Sequence, residues 1–280
     1  MKILITGAAG QLGKELSIKL NHHYDVYSMG RSQLDITQQK QCDEVIARIH
    51  PDVVIHTAAF TSVDLAETQA EEAYKVNVSG TRNVAVASEK VGAKFCYIST
   101  DYVFDGQTMN PYREIDLTNP IGTYGKTKWA GEEMTRALTS KYFIVRTSWV
   151  YGMYGNNFVK TMVKLAKERD EIQVVNDQTG SPTYTADLAD FIEKLILTEQ
   201  YGIYHASNSG SCTWYQFAKA IFEECGMTTK VIPCTTEEFP RPAPRPKFSV
   251  LDHLSLRAEG FEEFRHWREA LRQFLNQIKV

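Results

Sequence analysis

A doubly wound parallel α/β sheet with a smaller C-terminal lobe is the fold this sequence predicts. Three observations carry that prediction. Short apolar runs alternate with helix-period stretches through the first half of the chain. The first run, Ile3-Leu4-Ile5, stops at a glycine turn that opens directly into a helix. Runs such as Val53-Val54-Ile55-His56 are apolar almost throughout, the pattern of strands covered on both faces.

The turn carries Gly7, Gly10 and Gly13, spaced Gly-x-x-Gly-x-x-Gly where the commonest dinucleotide fingerprint has Gly-x-Gly-x-x-Gly. Residues without a Cβ let the backbone bend and let a pyrophosphate approach the amides at a helix N-terminus. Gln11 and Leu12 open that helix, which places Leu12, Leu16 and Leu20 on one face. Gly7, Gly10, Gln11 and Leu12 are therefore candidate cofactor contacts in a Rossmann-like fold. A glycine-rich βα turn without a ligand is the plainer alternative, and the setting between strand and helix argues against it.

A second strand is expected over Asp25 to Met29, followed by Gly30-Arg31. Sites that prefer NAD hold the adenosine ribose with an acid near this place, whereas a guanidinium suits a 2′-phosphate. Arg31 thus points to NADPH, with NADH open and a solvated arginine as the alternative. Asp35 and Ile36 are placed beside the adenine, before a helix from about Gln38 to Ile49. Ala58 and Ala59 follow the third strand, Val53 to His56, where small residues admit a flat ligand. His56 itself is expected in the core or near the cofactor.

Thr61, Val63, Asp64 and Glu67 are expected in a loop before a long helix from about Thr68 to Val91. Asn77, well inside that helix, is a candidate for a hydrogen-bonding duty, a surface position being the simpler reading. Phe95 to Ser99 forms the fourth strand and delivers Thr100-Asp101-Tyr102 to the same carboxyl edge.

Asn119-Pro120 resembles a capped helix start, and the helix is expected to run to about Ala137. Tyr124 and Lys128 lie four apart on it and share one face. An ammonium near a phenol lowers the tyrosine pKa towards the range of a working general acid. Thr100, from the sheet edge, completes a candidate catalytic set with Tyr124 and Lys128, beside a nucleotide.

Later elements are a strand ending at Arg146, a helix from about Asn157 to Lys167 and a strand from Ile172 to Val175. A helix from about Ala186 to Leu197, a strand from Ile203 to Ala206 and a helix capped by Thr213 and ending at Cys225 follow. Pro233 to Pro246 holds five prolines and is expected as an extended loop. Its Arg241 and Arg245 are candidates for a substrate diphosphate. Phe264, Trp267, Leu271, Phe274 and Ile278 form the apolar stripe of a final helix. Residues 1–147 are assigned to nucleotide binding and 148–280 mainly to the second, substrate-binding lobe, with segments near 172–200 returning to the first.

Composition sets outer bounds. At 280 residues, 43% hydrophobic and 23% charged, the chain is an ordinary globular one. A net charge of -3 without a basic run argues against a nucleic-acid surface. No apolar stretch approaches bilayer length, and the chain enters a strand without a leader, so a cytoplasmic protein is expected. Five scattered cysteines show no metal or disulfide spacing and are expected reduced.

With these residues in place, the chain resembles the extended short-chain dehydrogenase/reductases, and within them the dTDP-4-dehydrorhamnose reductase family. The resemblance rests on Gly7 to Gly13, Ala58 to Glu67, Ser99 to Phe104, Tyr124 to Lys128, Arg146 to Tyr151, Asn156 to Phe158 and Asn176 to Thr183. It implies hydride transfer from NADPH or NADH to the 4-keto group of dTDP-4-dehydro-β-L-rhamnose. Tyr124 would protonate the oxygen, Lys128 would tune Tyr124 and hold the nicotinamide ribose, and Thr100 would orient the carbonyl. Thr61 would touch both cofactor and sugar, and Val63, Tyr102 and Trp149 would line the sugar pocket.

The resemblance leaves monomer or homodimer open. Some members bind magnesium through acids, one of them on the first helix, where Glu15 fits; the second acid's place corresponds to Ala186, so no metal is expected. Two rival readings share these motifs: another nucleotide-sugar reductase or epimerase of the superfamily, and a non-catalytic NADP-binding regulatory subunit of methionine adenosyltransferase.

Overall fold

The structure is a computed structural model that describes residues 1–279. Its first half runs β1 (Lys2–Thr6), α1 (Gln11–Leu20), β2 (Asp25–Met29), α2 (Gln39–Ile49) and β3 (Val53–His56). Then come α3 (Val63–Thr68), α4 (Ala70–Tyr74), a π-helical segment (Lys75–Gly80), α5 (Thr81–Lys90) and β4 (Lys94–Thr100). A 3₁₀ turn (Asp101–Val103), α6 (Thr123–Leu138) and β5 (Tyr142–Thr147) complete it.

The second half holds β6 (Val150–Tyr151), α7 (Phe158–Ala166), β7 (Glu171–Val175), β8 (Thr179–Gly180), β9 (Thr183–Tyr184) and α8 (Thr185–Ile196). It continues through β10 (Gly202–His205), β11 (Cys212–Thr213), α9 (Trp214–Glu224), β12 (Lys230–Cys234), α10 (Leu254–Ala258) and α11 (Trp267–Ile278).

Six parallel strands form the main sheet in the order β10-β5-β4-β3-β1-β2. Alternate side chains of each strand enter opposite layers. Ile3, Ile5, Val53, Ile55, Phe143 and Val145 pack with α1 and α8. Leu4, Val54, Phe95, Tyr97 and Ile144 pack with α2 and α5. With both faces covered, apolar residues occupy nearly every strand position.

A second core gathers α7, α9 and α11 around the parallel β7 and β12 pair. The expected cap of α9 is a full capping box, with Thr213 accepting from the Gln216 amide and Gln216 returning the bond. While α8 packs on the main sheet and β10 extends it, β7 belongs to the second core.

Several expectations are corrected. In place of one long helix from Thr68, Val63, Asp64 and Glu67 lie on a separate short helix, and a π-helical segment precedes α5. The widened segment holds Asn77, whose side chain accepts from Phe60 N (2.7 Å) and donates to Phe60 O (3.1 Å) and Thr127 Oγ1 (2.9 Å). Its hydrogen-bonding duty outweighs regular helix geometry there.

The helix expected from Asn119 starts at Thr123 instead, because Asn119 donates its amide to Asp105 (3.0 Å). Glu67 does the capping from outside, accepting from Thr123 N and Thr123 Oγ1 at 2.8 Å each. Pro233 lies inside β12 and not in a loop. Phe264 precedes α11 and packs on Phe191 in the main core, with ring centroids 5.5 Å apart.

Candidate active site

The strand order reverses between β1 and β3, and a cleft of about 940 Å³ opens at their carboxyl ends. Ligands of open parallel sheets bind at such a switch point. Gly7, with φ +66°, makes the turn after β1, and a Cβ there would stand 2.6 Å from the Ala58 backbone. A Cβ on Gly13 would stand 2.4 Å from the Gly7 carbonyl. Only glycine lets these two strand ends and α1 approach so closely. Gly10 is the N-cap of α1 and makes no side-chain cap, which leaves first-turn amides for a ligand.

All the residues expected at the cofactor lie along this cleft: Gly7, Gly10, Gln11 and Leu12 at the turn, Arg31, Asp35 and Ile36 at one end, and Ala58, Ala59 and Thr61 after β3. Such a cradle fits a dinucleotide. Gln11 has a further task, donating its side-chain amide to Val150 O (3.1 Å) and accepting from Asn157 (2.9 Å) across to the second lobe. Arg31 is 79% exposed and stands 3.7 Å from Glu72.

Thr100, Tyr124 and Lys128 meet at the middle of the same cleft. Thr100 ends β4, where its hydroxyl accepts from Tyr102 N at 3.3 Å. It also donates to Asp101 Oδ1 at 3.0 Å, while the buried Asp101 Oδ2 has no partner among the described residues. Burial pushes Asp101 up to about 6.

The electrostatics correct one expectation. Tyr124 is pushed up to about 12, chiefly by burial, with Thr100 opposing and Asp101 adding to the rise. Lys128 is pulled down to about 7 by the same loss of water, with Glu132 opposing. Its Nζ donates to Ile98 O at 2.6 Å and lies 4.1 Å above the Tyr97 ring. Burial is the largest influence on both groups. The phenol is therefore held as a proton donor.

Val63, Tyr102 and Trp149 also line the cleft, with the Tyr102 and Tyr124 rings edge to face at 5.6 Å. Trp149 adopts φ +47° and stacks on Trp214, 3.5 Å between centroids and 8° from parallel. Arg241 and Arg245 are not part of the cleft lining. Arg245 is held by Asp64 (2.9 Å) and the Ala243 carbonyl (3.1 Å), and Arg241 lies over Phe239. Sequence reasoning missed Glu72 and Trp214 as cleft residues, since neither carries a motif of its own, and Ser148 entered only within the stretch from Arg146 to Tyr151. Asp101 was legible only as the neighbour of Thr100.

Glu15, on the first helix, accepts from Thr185 Oγ1 (3.0 Å), and Ala186 has no oxygen in its side chain.

A glycine-turn cradle and a Tyr-x-x-x-Lys helix facing each other across one edge of a doubly wound sheet define a short-chain dehydrogenase/reductase type of protein. The family model described as RmlD substrate binding domain matches residues 1–280, and the chain belongs to that family. It is 47% identical to the spore coat polysaccharide biosynthesis protein SpsK of Bacillus subtilis, over 99% of this chain and 97% of that protein. It is 42% identical to a dTDP-4-dehydrorhamnose reductase of Aggregatibacter actinomycetemcomitans, over 97% of each. A crystal structure of the Bacillus anthracis dTDP-4-dehydrorhamnose reductase in complex with NADP superposes with a TM-score of 0.97 at 52% identity, over 99% of both chains.

Proposed function

We propose that this protein is a dTDP-4-dehydrorhamnose reductase that uses NADPH or NADH to reduce the 4-keto group of dTDP-4-dehydro-β-L-rhamnose to dTDP-L-rhamnose. The observation that carries the reading is the convergence of Thr100, Tyr124 and Lys128 beside the glycine-turn cradle. The relatives named as reductases, one of them bound to NADP, support the choice of substrate and cofactor.

A reduced nicotinamide dinucleotide supplies the hydride when bound. Gly7, Gly10 and the first amides of α1 would hold its pyrophosphate, Arg31 a 2′-phosphate, and Ala58, Ala59 and Thr61 its middle. Tyr124 gives its phenolic proton to the oxygen of the reduced carbon. Thr100 holds that oxygen in line with the phenol, and Lys128 stabilises the phenolate left behind. Val63, Tyr102 and Trp149 would enclose the sugar. The second core would carry the substrate side of the cleft and the main sheet the cofactor side.

The test is loss of NADPH absorbance with dTDP-4-dehydro-L-rhamnose, run beside Tyr124→Phe. Net cofactor oxidation and dTDP-L-rhamnose as product are expected, with turnover falling about 10²- to 10⁴-fold in the variant. No oxidation with either cofactor overturns the substrate assignment. An epimerase would recycle its bound cofactor and show none.

A further inference from the structure

The next turn of α6 carries a carboxylate to which the reductase reading gives no task. Glu132 lies one helical turn beyond Lys128 and is 1% exposed. Its Oε1 accepts from Ser99 Oγ (2.5 Å) and Arg146 Nε (2.9 Å), and its Oε2 accepts from Arg146 Nη2 (2.7 Å). Ser99 and Arg146 are register partners on β4 and β5, each 3% exposed. The next residues along these strands, Thr100 and Thr147, both line the cleft. One carboxylate thus ties the helix bearing Tyr124 and Lys128 to both strands that end at the reacting centre.

Arg146 is itself fixed. Its Nη1 donates to Glu114 O (3.5 Å) and faces His205 Nε2 (3.4 Å). A buried ion pair of this kind adds little stability compared with apolar packing of the same volume. Its place beside the active helix therefore calls for another explanation.

The surroundings of Lys128 supply one. From β4 it meets the Ile98 carbonyl and the Tyr97 ring, and from β3 it feels His56, which burial keeps neutral by pulling its pKa down to about 3. On its own helix lie Tyr124 and Glu132, with Arg146 of β5 behind the latter. Asp101, after β4, acts on Tyr124. Among the groups that act on Lys128, Glu132 alone is an anion.

We propose that Glu132, locked by Ser99 and Arg146, is a positioning residue for the Tyr124–Lys128 pair: it fixes α6 against the sheet edge and holds a compensating negative charge beside the Lys128 ammonium. The role rests on the reductase reading only for its consequence in catalysis. The charge effect itself does not depend on that reading.

The experiment follows Lys128 by NMR of lysine labelled at Cε, with Lys128→Met identifying its signal, in the parent, Glu132→Gln and Glu132→Gln/Arg146→Gln. Glu132→Gln strands a buried guanidinium and risks unfolding. The double variant removes both charges and keeps the test open. A midpoint for Lys128 lower by about 1 pH unit in a folded variant is expected, with Glu132→Asp recovering part of the shift. In turnover, kcat is expected to fall about 10- to 100-fold at neutral pH, with its alkaline limb moved to lower pH and the NADPH KM changed only a few-fold. A folded double variant whose Lys128 midpoint and alkaline limb match the parent overturns the proposal. Failure of the parent to reduce any keto sugar would refute the reductase reading and leave the NMR result standing.

Discussion

Lys128 donates its ammonium to the Ile98 carbonyl at 2.6 Å, so a helix side chain is clamped to the strand that delivers Thr100. That bond places the charge beneath the reacting centre, where burial pulls Lys128 down to about 7 against the opposing field of Glu132. Since the working form is the ammonium, activity is lost as pH rises through the folded value. The pH profile of kcat/KM for the cofactor, which reports the ligand-free enzyme, is expected to show an alkaline limb near that value. A flat profile from pH about 6 to about 9 contradicts it.

For stability the same shift acts in the other direction. Between about 7 and the ordinary lysine value of 10.5 the unfolded chain binds this proton and the native state does not. The Lys128 penalty is therefore full at low pH and fades as pH rises. Lys128→Met is expected to raise Tm more at about pH 6 than at about pH 9. An equal rise at both would show that the charge is not the cause.

Arg31 gives the prediction on cofactor choice. Its partner Glu72 stands 3.7 Å away with both side chains exposed, a pair of about 0.2–1 kcal/mol that a 2′-phosphate can displace. A charge-assisted bond to that phosphate contributes about 1.5–3 kcal/mol. Arg31→Ala is expected to lower kcat/KM for NADPH about 10- to 100-fold and to leave NADH within a few-fold. Equal losses with the two cofactors would remove Arg31 from the 2′ site.

Asn77 is 1% exposed and bonds both backbone groups of Phe60 as well as Thr127. Asn77→Ala leaves those buried groups unpaired and is expected to cost about 2–4 kcal/mol, read as a lower urea midpoint at unchanged m. A cost below about 0.5 kcal/mol would mean that the π-helical segment holds without it.

Asp101 offers a stability test with the opposite sign to the usual paired carboxylate. Its native pKa is pushed by burial from 3.8 up to about 6, so the native state binds the proton over a range where the unfolded chain has lost it. Stability falls as pH rises through that window, and the cost persists at neutral pH. Asp101→Asn is expected to be more stable than the parent by about 1–3 kcal/mol at pH about 7 and similar to it at pH about 4. Denaturant melts at the two values check this, and a variant less stable than the parent at neutral pH would refute it.

Much of the architecture was legible because it is local. Strand alternation, the Leu12-Leu16-Leu20 face and the Tyr124-Lys128 spacing follow from periods of two and 3.6 residues. Boundaries failed where a distant side chain intervened. Glu67 caps α6 from another helix, and Asn119, the nearest local cap, is drawn off by Asp105. The break before α5 was hidden for the same reason, since its cause is Phe60, seventeen positions from Asn77 in the chain.

The sequence alone determined the order of strands and helices, the glycine turn and the residue types at the reacting centre, because each depends on neighbours within a turn or a strand. Tertiary structure decided their electrostatic state and their partners. It buried Lys128 and Tyr124 until loss of water became the largest influence on each, gave Arg245 to Asp64, and joined Glu132 to Arg146 across a helix and a strand. Such pairings depend on which distant groups the topology brings within a few ångströms and how much water it removes, and no local pattern encodes either.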